Sequence, residues 1–132
     1  MAGLCLRCAS LAGQVLTRTS FRKSNLAEAD LAFANLASAD LQEAVLMQAN
    51  LGCAMMISAS LASADLRQAN LRNASLFQAD LHDANLEGAM LLGSDLTGVN
   101  LEGARLAGAV YDARTRWPDG FDVTASGAVL KQ

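Results

Sequence analysis

A large apolar residue recurs at every fifth position from Phe21 to Tyr111, nineteen times without a slip. The residue two positions before each of these centres is small: of the seventeen such positions from Ala29 to Ala109, all but Ser94 and Val99 are alanine. Directly before the centre, 13 of the 18 residues from Asn25 to Val110 are Asp, Asn or Ser. The chain is therefore built from five-residue units, and its fold must account for that period.

Neither a straight helix nor a straight strand accommodates a period of five. At about 100° per residue, successive leucines would spiral around an α-helix and never form one face. In a straight strand, an odd period would send successive leucines to opposite sides. The pattern fits a chain that runs Ala-x-Leu in extended form and then turns a corner in two residues. Asp, Asn and Ser beside each corner suit such turns because their side chains bond nearby backbone groups.

Residues 29–33 (ADLAF), 64–68 (ADLRQ) and 84–88 (ANLEG) resemble the A-(D/N)-L-x-x unit of the pentapeptide repeat family. The resemblance covers roughly residues 19–112. It implies an all-β fold, a right-handed quadrilateral β-helix with four units per coil and about five coils. Residues twenty apart then stack along one face. Residues 1–20 keep the spacing but lose most alanines, which indicates a degenerate first coil or cap.

The segment from Tyr111 to Asp122 breaks the period and contains the only Trp and the only Pro of the chain. It reads YDARTRWPDGFD, and it resembles tails that follow the repeats in cyanobacterial members of the family. We predict a repeat domain over 1–112 and a capping tail over 113–132. Within the tail, Trp117 and Phe121 are predicted to cover the C-terminal end of the core, because the open end of a solenoid exposes apolar core and unpaired backbone. The alternative is that Trp117 anchors a binding partner.

Composition and motifs give no sign of an enzyme. The formal charge of −3 does not favour nucleic acid, and the apolar runs are too short for a transmembrane helix, so we expect no direct membrane insertion. Cys5 and Cys8 form a C-x-x-C pair, but the further ligands that zinc needs are missing nearby, and no role is assigned to the pair. His82 has no nearby nucleophile. We predict no catalytic, cofactor-binding or metal site and no small-molecule substrate.

The first residues are moderately apolar but lack the early positive charge and the cleavage site of a secretory signal. They also keep the spacing of the repeats. We therefore expect them to belong to the folded protein, and we expect a cytoplasmic location.

If the core is fixed by the repeat, function lies on the outward positions. Counting in twenties aligns Ala37, Ile57 and Phe77 as an apolar ladder with Met55 beside it, and places Phe33 and Cys53 on the neighbouring face. Several of these residues replace the usual polar choice, and large exposed apolar patches mark interfaces. The predicted interaction patch comprises Phe33, Cys53, Met55, Ile57, Phe77, Met90 and Leu92. The alternative is that these side chains stack along a face for stability alone.

Two functions fit this pattern. The first is a protein-interaction or scaffold module that binds another protein, or its own copy, through the apolar corner, as a subunit or assembly factor of a larger complex. A photosynthetic assembly is one candidate by family resemblance alone. The second is a DNA mimic that binds DNA gyrase, as some members of the family do. The mild charge and the apolar ladder favour the first, since a mimic requires a strongly acidic surface.

Overall fold

The computed structural model describes residues 2–132, and Met1, the first position of the predicted first coil, lies outside them. Parallel β-bridges join every fifth residue to the residue twenty positions later, from Cys5 with Asn25 to Met90 with Val110. Four five-residue units therefore complete one coil. We number the faces by their bridge residues. Face 1 carries residues 5 to 105, face 2 residues 10 to 110, face 3 residues 15 to 95 and face 4 residues 20 to 100, each in steps of twenty.

Each unit ends in a tight turn whose geometry follows from its sequence. The N–H of Ala29 donates to the carbonyl of Leu26 at 3.0 Å, and the same bond recurs along the chain. Of the two residues between them, Glu28 has φ of 60°, and it is one of fifteen non-glycine residues with positive φ in the described part of the chain. Positive φ at this position is typical of a type II turn. Aspartate or asparagine before a centre supports the corner as predicted; for example, Asn35 Oδ1 accepts the N–H of Ala37 at 3.1 Å.

Successive coils are joined by backbone hydrogen bonds of the parallel-sheet type. Each coil contributes one bridge residue to each face. On face 1 the N–H of Leu46 donates to the carbonyl of Asp65 at 2.7 Å. The following corner adds a bond from the N–H of Gln48 to the carbonyl of Arg67 at 2.9 Å. Most polar backbone groups are thus satisfied between coils, which leaves side-chain packing to fill the interior.

The core is a narrow column of the repeated centres and the small residues before them. Every centre from Phe21 to Leu91 has 0% of its surface exposed. The earlier centres Leu6, Leu11 and Leu16 pack against this core but are only partly buried. Their coil nevertheless keeps the register, because Ser10 pairs with Asp30.

The tail continues around the column in an irregular way. Its elements are β1, Val110–Tyr111 on face 2, a 3-10 helix at Thr124–Ser126, and β2, Val129–Leu130, which pairs with β1 in parallel. One extra residue after Tyr111 shifts the register, so Asp95 pairs with Arg116. None of the helical structure in residues 2–132 has the length and apolar character needed to span a membrane.

Candidate interaction surface

Eight large apolar side chains are exposed within residues 2–132, and four of them belong to the predicted patch. The eight are Leu4, Val15, Phe33, Met55, Ile57, Phe77, Val129 and Leu130. Phe33 is 69% exposed, whereas Met55, Ile57 and Phe77 are between 38% and 43% exposed. Cys53, Met90 and Leu92 are half-buried.

The patch lies on face 3 and the two corners that border it. Met55 is the outward residue of face 3 and forms bridges with Asn35 and Ser75. Ile57 and Phe77 occupy successive levels of the corner that follows, because Ser58 donates its N–H to the carbonyl of Phe77 at 2.9 Å. Phe33 and Cys53 occupy successive levels of the corner that precedes. We call these five residues, Phe33, Cys53, Met55, Ile57 and Phe77, the central patch.

Met90 and Leu92 lie apart from the central patch. Met90 is on face 2, bridged to Asn70 and to Val110. Arg72 and Asn73 lie between Cys53 and Leu92, since the carbonyl of Arg72 accepts the N–H of Cys53 and the N–H of Asn73 donates to the carbonyl of Leu92, both at 2.9 Å. A charged and a polar residue thus separate the central patch from Leu92, which was predicted to belong to the same patch.

The predicted patch leaves out four of the eight exposed apolar residues, and two of these, Val15 and Val129, continue columns of the patch. Val15, 75% exposed, is in the same column of face 3 as Met55, since Val15 pairs with Asn35 and Asn35 with Met55. The twenty-residue register was sufficient to find it. Val129, 53% exposed, continues the column of Met90 and Val110 through the pairing of β2 with β1. No signal in the sequence indicated that pairing, because the tail breaks the period.

Met55 replaces a residue type that supports the turn. On the same column, Asn35 Oδ1 accepts the N–H of Ala37 at 3.1 Å and Asp95 Oδ1 accepts the N–H of Thr97 at 3.0 Å. A methionine side chain has no oxygen for the equivalent bond to Ile57. The thioether is flexible and polarizable, and such side chains are common at binding surfaces. The replacement gives up a local bond in favour of exposed apolar surface.

Charge is concentrated on faces 4 and 1, away from the middle of face 3. Between residues 9 and 108, twelve of the sixteen Asp, Glu, Lys and Arg residues belong to faces 4 and 1 with their following corners. The remaining four are Arg18, Asp30, Arg72 and Asp95. The stretches 32–38 and 52–58, which form the middle of face 3 and its corners, contain no charged residue. The central patch therefore sits on a neutral surface.

The charged side contains one titrating pair of note. His82 Nδ1 lies 2.9 Å from Asp80 Oδ1, and both side chains are more than 40% exposed. The hydrogen bond to Asp80, and then its negative charge, raise the pKa of His82 above its ordinary value. No group of three or more His, Cys, Asp and Glu side chains within residues 2–132 is placed to hold a metal ion. Cys5, Cys8 and Cys53 are free thiols.

The structure places Trp117 and Phe121 against the C-terminal end of the core, both partly buried. Their rings are stacked with centroids 5.3 Å apart, and Tyr111 meets Trp117 edge-on at the same distance. Trp117 Nε1 is buried without a hydrogen-bond partner in the described part of the chain. The capping role of these two residues, and the alternative of Trp117 as a binding anchor, both stay predictions.

A family model described as pentapeptide repeats matches the chain with eight copies, over residues 5–42, 29–68, 54–91 and 74–110. Proteins of this family fold as right-handed quadrilateral β-helices, and they are structural or interaction modules, generally not enzymes. The four-unit register described above agrees with that fold. No match is found among curated proteins.

Two solved structures of pentapeptide repeat proteins from cyanobacteria are similar to the chain. One, from Nostoc Pcc 7120, is 40% identical, with 77% of this chain and 84% of that chain covered and a TM-score of 0.76. The other, from Cyanothece 51142, is 34% identical, with 88% and 89% covered and a TM-score of 0.79. Both likenesses extend over most of each chain.

A more distant likeness is to QnrB1, a plasmid-mediated fluoroquinolone resistance protein. Identity is 14%, with 100% of this chain and 91% of that chain covered and a TM-score of 0.59. At this identity the likeness shows the fold alone.

Proposed function

Because the chain belongs to the pentapeptide repeat family, we propose that it is a non-enzymatic protein-binding module, a rod of about five coils that docks through the central patch. The observation that supports this proposal is the cluster of exposed Phe33, Met55, Ile57 and Phe77 on a neutral face. Contiguous exposed apolar patches commonly mark interaction sites. Trp117 and Phe121 serve as the C-terminal cap in this proposal.

The setting of the module is part of the same proposal. The two similar structures come from cyanobacteria, so we propose that the module is an assembly factor or subunit of a larger complex in a photosynthetic organism. Three free cysteines, two of them exposed, suit a reducing compartment, so we propose a cytoplasmic location.

The surface does not favour a mimic of DNA. The outward column of face 4 runs Asp40, Ser60, Asp80 and Asn100, so carboxylates alternate with neutral side chains. Duplex DNA carries one negative charge for each 1.7 Å or so of its axis. A column with a carboxylate only at every second coil has a far lower charge density. Gyrase binding is therefore not part of the proposal.

The test is an affinity capture from an extract of the source organism, with the wild type compared with Ile57→Asp/Phe77→Asp. We expect the wild type to retain a defined protein that the double variant loses, and the identified protein to rebind when purified. The matched control is Met47→Asp, because Met47 has the same position in its unit but follows face 1. Equal capture by the wild type and the double variant would contradict the proposal.

A further inference from the structure

We propose that the central patch binds the central patch of a second copy of this chain, with the two rods side by side and antiparallel. The inference rests on the proposed function, because it names the partner that the same surface receives.

The neutrality of the surface favours an identical partner. A heterologous partner is commonly selected by complementary charge, which steers association and excludes wrong partners. The middle of face 3 and its corners, residues 32–38 and 52–58, offers no charge for such selection. Homodimer interfaces are more apolar than transient ones and depleted of charge at their centre. The central patch has the composition of a homodimer interface.

The patch is also centred along the regular part of the rod. Met55 is the middle of the five regular outward positions on face 3, Val15, Asn35, Met55, Ser75 and Asp95. A two-fold axis in the interface, perpendicular to the rod at the level of Met55, therefore overlaps all five levels of both copies. Closed two-fold contacts are isologous, so each side chain meets a position of the same surface.

This axis brings large side chains against small or identical ones. Met55 meets Met55 and Ile57 meets Ile57 of the second copy, because both lie on the level of the axis. Phe77, one level below on the corner after face 3, meets Ala37, one level above on the same corner. Ala37 is half-buried and small, so it leaves room for the phenyl ring. The arrangement pairs a bulky group with a recess, as complementary packing requires.

The few charges at the border are complementary in the antiparallel orientation. Arg72 and Phe33 lie on the same corner at levels that the axis exchanges, so the guanidinium meets the ring of the other copy and makes a cation–π contact. Asp95 of one copy comes beside Arg18 of the other. Parallel rods would instead place Asp95 against Asp95, which is repulsive. The border charges thus select the antiparallel orientation.

The expected dimer is weak and reversible. The whole chain exposes 6256 Å². A contact that covers about a tenth of the surface of each copy buries roughly 600 Å² a side, at the low end for specific complexes. We expect a dissociation constant of about 10 μM. The fraction of the chain present as dimer should therefore change over an accessible concentration range.

The first experiment is sedimentation equilibrium of the full chain over a concentration series that spans about 1 to 200 μM around the expected constant. The mean mass is expected to rise from 13.8 kDa towards twice that value. Ile57→Asp/Phe77→Asp should remain monomeric throughout, and Met47→Asp should behave as the wild type. A wild type that stays monomeric, or a double variant that still dimerises, would overturn the inference. If the wild type stays monomeric but captures a protein that the double variant loses, the inference fails while the proposed function stands.

The second experiment tests the orientation by a disulfide. With Cys5, Cys8 and Cys53 replaced by serine, Ile57→Cys leaves one thiol per chain, and sedimentation first establishes that this variant still dimerises, since Cys53 belongs to the central patch. In the antiparallel dimer the two thiols at position 57 face each other, and oxidation should join the copies covalently. In a parallel dimer they lie on opposite corners and cannot meet. The matched control is Met47→Cys in the same background, which should not crosslink. A dimer without the crosslink at position 57 would show that the antiparallel arrangement is wrong.

Discussion

At the scale of single residues, the side chain before a centre either stabilises the corner by a hydrogen bond or adds exposed apolar surface that a partner can bind. Asparagine and aspartate at this position close the corner with a side-chain hydrogen bond, as Asn35 does to Ala37 at 3.1 Å. Met55 forgoes this bond and exposes 43% of its surface. Substitution of Met55 therefore distinguishes two interpretations of the central patch. If the patch stacks for stability, the monomer is destabilised; if it binds a partner, association is weakened.

Met55→Asn is expected to leave stability nearly unchanged and to weaken self-association. The new side chain regains the hydrogen bond to the N–H of Ile57, worth about 1 kcal/mol, which offsets the lost packing of a half-exposed thioether. The free energy of unfolding, measured in urea on dilute protein, should therefore change by less than about 0.5 kcal/mol. If Met55 serves only to stack along the face, Met55→Asn will destabilise the monomer and leave the concentration dependence of the mass as it was.

His82 is a second residue whose chemistry the sequence pattern left open. Its pKa is raised by the hydrogen bond to Asp80 and by the Asp80 charge. A raised pKa in the folded state means that the pair stabilises the fold at pH values below the unfolded pKa of about 6.5, and that this contribution is lost as the pH rises through the folded pKa. The pair is exposed, so its effect on stability is small.

The titration of His82, the only histidine of the chain, is directly observable by NMR. We expect the midpoint of its titration to lie above the ordinary value in the wild type and to fall towards that value in Asp80→Asn. This substitution keeps the side-chain oxygen that accepts the backbone N–H of His82. Asp83→Asn is the control, because Asp83 acts on His82 only through its charge and less strongly. A midpoint that Asp80→Asn does not move would exclude the pair as the cause.

At the scale of elements, the tail imitates a repeat with different residues. Thr115 takes the place of the small inward residue, is 9% exposed, and donates its Oγ1 hydroxyl to the carbonyl of Leu91 at 2.8 Å. Arg116 takes the bridging position, and its carbonyl accepts the N–H of Leu96 at 2.7 Å. Trp117 then stands where a leucine centre would be. Because an aromatic ring is larger than a leucine side chain, we expect Trp117 to cover more of the column end than a leucine would.

Trp117→Ala is expected to lower the free energy of unfolding by about 2 kcal/mol or more, because truncating a packed aromatic side chain leaves a cavity. Solenoids are stabilised by nearest-neighbour contacts, so the loss should be local. Hydrogen exchange should quicken at the amide of Leu96, beside the tail, more than at Leu46 in the middle of the rod. Trp117→Phe is the control: it keeps the stacking on Phe121 and removes the unpaired indole N–H, and it should retain or raise stability. Uniform exchange along the rod in Trp117→Ala would contradict the capping role.

At the scale of the whole molecule, the period of five determined most of what the sequence could predict. The buried column from Phe21 to Leu91 and the exposed Ile57 and Phe77 follow from counting alone. Met90 and Leu92 were predicted to join the patch because the residues were grouped by face. That grouping overlooked the coil between Cys53 and Leu92, where Arg72 and Asn73 lie. The pairing of β2 with β1 was not predictable, because no repeat places Val129 beside Val110. Identity of the partner is a property of the surface shape and charge, which the period does not encode.

The charge distribution gives the rod two unlike sides, and we propose that the neutral side is the one that binds. The most direct test is a series of two-dimensional amide NMR spectra of the wild type at rising concentration. The account predicts shifts and broadening at Asn35, Cys53, Met55 and Phe77, with none at Gln42 or Ala62 on the charged side. Changes confined to the charged side, or unchanged spectra both in the series and on addition of any protein captured by the wild type, would contradict it.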